Sequence, residues 1–314
     1  MKYDVYFHND FDGRASVAVF LDFLRKRGDS IQNYFAVDHF LRSRWDKVVR
    51  ASENPVAIFD FYFHPKAAYF FDHHLTTFIN DKWEKEFRPS KFFNLKYKYE
   101  SCCRLVFDSL RKNFGYKPSA TIKELVFWAD VVDAAKFRSA KDLIELKNPV
   151  AQIDAYIDHE SKNGDPIKWL IEGLSKTRLK TLTRDSRVIR AIGIVKSKIN
   201  KSLEFHRKHL QVYSRVCFID LSSTKVERIR FAPHYLVPSL SYMVTLLKGG
   251  GFYRVAVGGN PWRDEPGGYD LRQLVRKRYG YKAGGHRRAA GITGIKTKKE
   301  AEKIAKELIE ILNK

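Results

Sequence analysis

The chain reads as an α/β protein in two parts: an N-terminal domain built on a parallel sheet, a helical linker, and a smaller α/β domain at the C-terminal end. Three observations predict this. Short apolar runs, Val5-Tyr6-Phe7, Val56-Ala57-Ile58-Phe59 and Phe70-Phe71, are dense in β-branched and aromatic residues, as fully buried parallel strands are. Stretches of helical period separate them. The strand–helix alternation then gives way to a long basic helical stretch and resumes after residue 211, so the expected boundaries are 1–185, 186–211 and 212–314.

After the first strand, residues 14–27 place Ala15, Ala18, Val19, Leu21 and Leu24 around one side, with basic residues at the C-terminal end and Gly28 as a cap. Residues 31–37 read as a strand and 41–50 as a short helix; strands follow at 55–59 and 68–71. Helices are expected over 99–113, 120–132 and 149–159, and 166–211 is helical in period and strongly basic. In the last part, strands are expected at 213–219 and 226–231, then a helix from about 235 to 247. Gly249-Gly250-Gly251 opens a strand over 252–257, the loop 258–268 precedes a basic helix at 270–278, and an amphipathic helix closes the chain at 298–312.

Composition bounds the partners. At 44% hydrophobic and 30% charged residues, the chain is globular, and no apolar run approaches the ~20 residues that a membrane span needs. The N-terminus enters a strand carrying Asp4, with no signal peptide expected. Cys102, Cys103 and Cys217 offer neither a C-x-x-C pair nor a disulfide framework, which points to a reducing cytoplasm and to Cys102 and Cys103 packing within a helix. A net charge of +22, from 58 Lys and Arg against 36 Asp and Glu, suits a polyanion such as nucleic acid, nucleotide or polyphosphate; a charge-rich stabilised surface is the alternative source.

The chemistry gathers where apolar runs stop. Val5-Tyr6-Phe7 leads into His8-Asn9-Asp10-Phe11-Asp12-Gly13, Val56 to Phe59 into Asp60, Phe70-Phe71 into Asp72-His73-His74, and the helical run Glu124 to Ala129 into Asp130, with Asp133 three residues on. Strand C-termini of an open parallel sheet share one edge, where such folds bind ligands, so these carboxylates and imidazoles should converge. Buried together they need a counter-charge, and a divalent metal pairs with all of them at once. Carboxylates with a minority of imidazoles favour manganese or magnesium over zinc. Backbone N–H groups at the start of the helix after Asp12-Gly13 suit a phosphate. His64, in an aromatic loop, is expected to be structural.

Taken together, these motifs resemble the DHH phosphoesterase superfamily with its DHH-associated C-terminal domain. That group includes RecJ-type exonucleases and the nanoRNA and cyclic-dinucleotide phosphodiesterases; family II pyrophosphatases and exopolyphosphatases carry a related N-terminal half. Five motifs in family order carry the resemblance: His8-x-Asp10-x-Asp12-Gly13, Asp60, Asp72-His73-His74, Asp130 in Ala-Asp-x-x-Asp, and Gly284-Gly285-His286-x-x-Ala289-Ala290-Gly291. The resemblance implies a DHH domain whose active site, holding two divalent ions, usually manganese with magnesium as the alternative, lies in the cleft between the two domains. It implies that Asp10 and His8 hold one ion, that Asp12, His73 and Asp130 hold the other, and that Asp60 bridges both. Asp133 stands as the alternative to Asp130. Asp72 is expected to orient a histidine, and His74 to contact substrate phosphate.

Two ions about 3.5–4 Å apart lower the pKa of a bridging water and steady both oxygens of an in-line displacement at phosphorus. On this reading Asp60, His74 and Asp72 are the catalytic set. Gly284 and Gly285 let the backbone approach an anion, His286 adds a donor, and Arg287 or Arg288 a charge. Trp262, in Gly259-Asn260-Pro261-Trp262-Arg263, is either an aromatic surface for a base or ordinary packing. The expected function is a phosphodiesterase acting on short single-stranded oligonucleotides or nucleotide-type phosphates, since 314 residues leave no room for further nucleic-acid modules. The same site would serve an exopolyphosphatase or phosphomonoesterase, and an inactivated nucleic-acid-binding copy of the fold is the reading from another class.

Overall fold

The computed structural model describes residues 1–160, 166–263, 268–280 and 283–314, apart from the side chain of His286, and divides into two compact units. One comprises Met1–Lys136 with Lys147–Ile192, the other Phe137–Leu146 with Gly193–Lys314.

In chain order the first elements are β1 (Lys2–His8), α1 (Phe11–Arg25), β2 (Ser30–Val37), α2 (Trp45–Arg50), β3 (Val56–Phe59), β4 (Ala67–Asp72), α3 (Asp81–Glu86) and β5 (Phe93–Leu95). Helices follow: α4 (Cys102–Phe114), α5 (Ala120–Asp133), α6 (Ala140–Ile144), α7 (Pro149–Glu160), α8 (Ile167–Lys176), α9 (Leu179–Leu182) and α10 (Ser186–His209).

In the first unit the strands form a parallel sheet in the order β2-β1-β3-β4-β5. The chain leaves β1 toward one edge and returns to β3 on the other side, so the direction of winding reverses between β1 and β3. Carboxyl ends of strands flanking such a reversal border the crevice where these sheets take ligands. Both faces are covered at β1, β3 and β4, which is why these strands read as apolar runs, whereas the edge strand β2 is largely exposed and polar. On one face Phe20 of α1 packs on Phe59 at a ring separation of 4.9 Å, and Phe59 stacks on Phe71 at 5.8 Å. On the other, Tyr6, Ile58 and Phe70 join Trp45, Phe61, Phe63 and Trp83 in an aromatic cluster. Each such fully buried side chain contributes roughly 1.5–3 kcal/mol. Trp45 donates its indole N–H to the Tyr62 carbonyl at 3.1 Å, so its burial leaves no polar group unmet.

The second unit adds β6 (Gln211–Tyr213), β7 (Val216–Asp220), α11 (Ala232–Leu236), β8 (Tyr242–Gly249), β9 (Phe252–Gly259), α12 (Leu271–Tyr279), β10 (Ala283–His286), β11 (Ala289–Ile295) and α13 (Lys298–Leu312). Its mixed sheet runs β10-β11-β9-β8-β7-β6, with α12 and α13 burying Leu271, Val275, Ile304 and Leu308 against Val244, Val255, Val257 and Ile292.

Three sequence expectations change here. The helix expected over 235–247 is the short α11 followed by strand β8, which sits between parallel β7 and antiparallel β9. Pairing on both edges overrides the helical period of this run, whose Tyr, Val and Thr content suits a strand. The strand expected at 226–231 does not form, because this segment bonds to α10: the Glu227 carbonyl accepts from Ser202 Oγ at 2.9 Å. The helix expected at 41–50 begins as a 3-10 turn over His39–Arg44 before α2.

Gly13 sets how closely α1 can approach β1. A Cβ there would lie 2.1 Å from the His8 carbonyl oxygen, a distance no real contact shows. Gly13→Ala is expected to lower stability by on the order of 3 kcal/mol in urea unfolding, through a forced shift of the helix start. An unchanged unfolding midpoint would contradict this packing.

Candidate metal centre

The site is assembled at the strand ends. Asp10 caps α1, its Oδ1 accepting from Gly13 N at 2.9 Å while Oδ2 lies 2.7 Å from His8 Nδ1 at the end of β1. Asp60 is the first residue past β3 and has a left-handed backbone, φ 56°, which aspartate tolerates better than most residues. Its N–H donates to the Phe71 carbonyl at 2.9 Å, tying that turn to β4. The Asp60 side chain is buried among three imidazoles, at 3.2 Å from His74 Nδ1, 3.5 Å from His73 Nε2 and 3.7 Å from His8 Nδ1.

Asp72, at the end of β4 and buried, folds Oδ1 back onto the following residues. It accepts from His73 N at 2.7 Å, His74 N at 3.2 Å and His74 Nδ1 at 2.9 Å. Asp12 is also buried, and its two oxygens accept from the first amides of α4, Cys102 N at 2.7 Å and Cys103 N at 2.9 Å. A helix N-terminus is a favourable partner for a carboxylate that must stay ionised.

His73 is the most informative side chain. Its Nδ1 lies 3.0 Å from the Tyr99 carbonyl, which can only accept, so the proton of the neutral ring sits on Nδ1 and the Nε2 lone pair points the other way. Nε2 is buried with no hydrogen-bond partner, and it faces Asp60 and Asp133 at 3.5 Å each and Asp12 at 3.8 Å. Asp60 Oδ1 is likewise buried without a hydrogen bond. Lone pairs held apart in this way accommodate a cation or a proton. Burial disfavours the imidazolium forms, but the surrounding carboxylates outweigh it, raising the pKa of His8 to about 11 and of His73 to about 10. Burial also favours the acid form of Asp60, yet the imidazoles of His73, His74 and His8 around it hold its carboxyl well below the usual range. Burial and then the Asp60 charge push Asp12 well up, and the same two causes bring Asp133 to about 7.

Among the described residues, three overlapping groups have ligand atoms within 4.8 Å of one another: His8, Asp10 and Asp60; Asp60, His73 and His74; and Asp12, His73 and Asp133. The set holds four carboxylates and three imidazoles and no thiolate, which suits manganese or magnesium. Cys102 and Cys103 lie nearby, but burial, foremost, keeps both thiols protonated. The donors present fit a pair of hard divalent ions.

No protein-family model matches the chain, and no curated protein matches it. Among solved structures it is similar to a pGpG-specific phosphodiesterase from Vibrio cholerae, at 17% identity and TM-score 0.71 over 99% of each chain. It is also similar to RecJ from Thermus thermophilus in complex with Mn2+, at 13% identity and TM-score 0.63, covering 99% of this chain and 52% of that one. An exopolyphosphatase-related protein from Bacteroides fragilis aligns at 13% identity and TM-score 0.55, over 99% and 92% of the two chains. The chain shares the fold of these proteins.

Within that fold, His8, Asp10, Asp12, Asp60, His73 and His74 converge, and Asp72 lies behind them on His74. Asp130 does not join them. Its Oδ2 accepts from Arg104 Nε and a terminal guanidinium nitrogen at 2.9 and 2.8 Å, and its Oδ1 from Ser101 Oγ at 2.6 Å; Asp133, one turn on, faces His73 instead. Of the two alternatives, Asp133 is the one that clusters with Asp12 and His73. His64 is structural, buried between Asp46 and the Lys66 amide. Trp262 donates to the Phe137 carbonyl at 2.5 Å and packs edge-on against Phe231, as a packing residue does.

In the second unit Gly284 and Gly285 lie on β10, and Gly285, at φ 137°, faces Ala289 so closely that a Cβ would lie 2.3 Å from its carbonyl oxygen. Arg287 and Arg288 are both exposed, and Arg288 donates to the Pro261 carbonyl at 3.1 Å. The His286 side chain lies outside the described residues. Sequence reasoning missed the Tyr99 carbonyl, the α4 amides and the Ser101–Arg104 pair. Backbone groups leave no residue-type signal, although Ser101 three residues ahead of Arg104 is a helix-start pattern.

A metal binding to His8 and His73 must compete with the protons that their raised pKa values favour. Raised histidine pKa values mean that competition weakens as pH rises toward those values, so Mn2+ affinity should climb between about pH 6 and 8 with net proton release. Titration calorimetry in buffers of different ionisation enthalpy measures this. Affinity independent of pH, with no buffer dependence, would contradict the assignment.

Proposed function

We propose that the protein is a two-metal phosphoesterase that hydrolyses phosphodiester bonds in short oligonucleotides or nucleotide-type phosphates. The observation that carries this reading is the pair of buried, unbonded atoms His73 Nε2 and Asp60 Oδ1, set among Asp12, Asp133 and His8. On this reading His8, Asp10 and Asp60 hold one ion, and Asp12, His73, Asp133 and Asp60 the other.

Bound there, the ions supply Lewis-acid activation of a water and of the phosphoryl oxygens. The chain's own residues do the rest. Asp60 is held in place by its turn and shared between the two groups. Asp72 fixes His74 at Nδ1, and burial, outweighed by Asp60 and Asp72, leaves His74 with its pKa pushed up to about 12. A positively charged, oriented imidazole is a donor for charge developing on phosphoryl oxygen. Gly284, Gly285, His286 and Arg287 are assigned to substrate phosphate, where exposed glycine backbone and a cation suit an anion.

Support for a nucleotide-type substrate comes from the net charge of +22 and from the whole-length likeness to a phosphodiesterase specific for pGpG, a two-nucleotide substrate. The manganese in the RecJ structure supports the choice of ion. Cytoplasmic location remains part of the proposal; among the described residues no helix is long and apolar enough to cross a membrane.

Mn2+-supplemented protein is expected to release mononucleotides from two- to five-residue RNA or DNA and to leave polyphosphate intact. Asp60→Asn should cut kcat/KM by more than about a hundredfold, since even residues that only orient metal ligands cost 10–100-fold. Consumption of polyphosphate with intact oligonucleotides would overturn the substrate assignment, and full turnover by Asp60→Asn the two-metal one.

A further inference from the structure

Asp130 sits beside the metal-facing groups yet is turned from them, and its bonds close a ring between two helices. Ser101 is fully buried; its hydroxyl donates to Asp130 Oδ1 at 2.6 Å and accepts from Arg104 N at 3.0 Å, capping α4. Arg104, on the first turn of α4, returns two guanidinium N–H groups to Asp130 Oδ2 at 2.9 and 2.8 Å. One carboxylate on α5 thus holds both the cap and the first turn of α4. The two-pronged Arg–carboxylate geometry fixes orientation as well as distance.

What this ring holds is specific. The amides it steadies, Cys102 N and Cys103 N, are those that bind both oxygens of Asp12. Two residues before Ser101 is Tyr99, whose carbonyl sets the ring of His73. Three residues after Asp130, on the same face of α5, is Asp133, which meets His73 Nε2 at 3.5 Å. We propose that Asp130, with Ser101 and Arg104, is a positioning latch that sets Asp12, His73 and Asp133 for one metal ion, without itself touching that ion. The proposal rests on the two-metal reading of the site and adds the device that builds one half of it.

The test is Mn2+ binding, followed by calorimetry and by the electron paramagnetic resonance of free Mn2+, together with thermal unfolding. Ser101→Ala, Asp130→Ala and Arg104→Gln should each weaken one of two Mn2+ sites by about 10–100-fold, the range for residues that orient metal ligands. Ser101→Thr, which keeps the hydroxyl, should restore most of the affinity. Because the three act as one unit, the Ser101→Ala/Asp130→Ala double variant should lose little more than either single variant. Ser119→Ala is the control: Ser119 caps the far end of α5, accepting from Ile122 N at 3.2 Å, so this change should lower Tm and leave Mn2+ affinity alone.

If Ser101→Ala and Arg104→Gln lower Tm but bind Mn2+ as the unaltered protein does, the latch is merely structural and the proposal fails. Loss confined to Asp130→Ala, with the other two intact, makes Asp130 a direct ligand and also overturns it. Should the unaltered protein bind no Mn2+, the two-metal reading itself fails, an outcome visible before any variant is made. Where Asp130→Ala does not fold, Asp130→Asn and Ser101→Ala decide the matter.

Discussion

The structure turns on one buried carboxylate. Asp60 is removed from water at the carboxyl end of β3, in a backbone conformation that few residues adopt willingly, and is ringed by His8, His73 and His74. An isolated buried charge costs several kcal/mol unless it is paired and bonded. Two further acids, Asp12 and Asp133, face the same spot, and both are pushed toward their protonated forms by burial and by Asp60. Such concentration of like charge at one sheet edge destabilises the fold unless cations neutralise it. That requirement explains why the surrounding architecture is so closely specified.

Support comes from both layers of the first unit. The aromatic faces of the sheet fix where β1, β3 and β4 end. Gly13 lets α1 close against β1, and Asp10 and Asp12 at the helix start enter different groups of ligand atoms, Asp10 with His8 and Asp60, Asp12 with His73 and Asp133. The amides of α4 then carry Asp12, the Tyr99 carbonyl fixes the ring of His73, and Asp72 does the same for His74. Most of these are bonds from backbone to side chain, which settle tautomer and orientation while leaving the opposite atom open. A site of this kind depends on helix starts and loop carbonyls as much as on the acids themselves.

Legibility in the sequence followed from the same physics. Val5 to Phe7, Val56 to Phe59 and Phe70 to Phe71 were readable as strands because burial on both faces leaves no room for polar residues. Their ends were readable because acids and histidines follow apolar runs abruptly. Asp130 and Asp133 could not be told apart, since residues three apart share a helix face, and only the position of Arg104 and Ser101 shows which one is engaged elsewhere. The apolar run of β8 fits a helical period, and its pairing with β7 and β9 is a long-range fact that no local pattern carries. The Tyr99 carbonyl was invisible for a plainer reason: every residue has one.

Anomalous diffraction from crystals grown with Mn2+ tests the central claim most directly. The account predicts two peaks, one bounded by His8, Asp10 and Asp60 and the other by Asp12, His73, Asp133 and Asp60, with Asp130 still on Arg104. Absence of bound manganese at these side chains, or a peak ligated by Asp130, would contradict it.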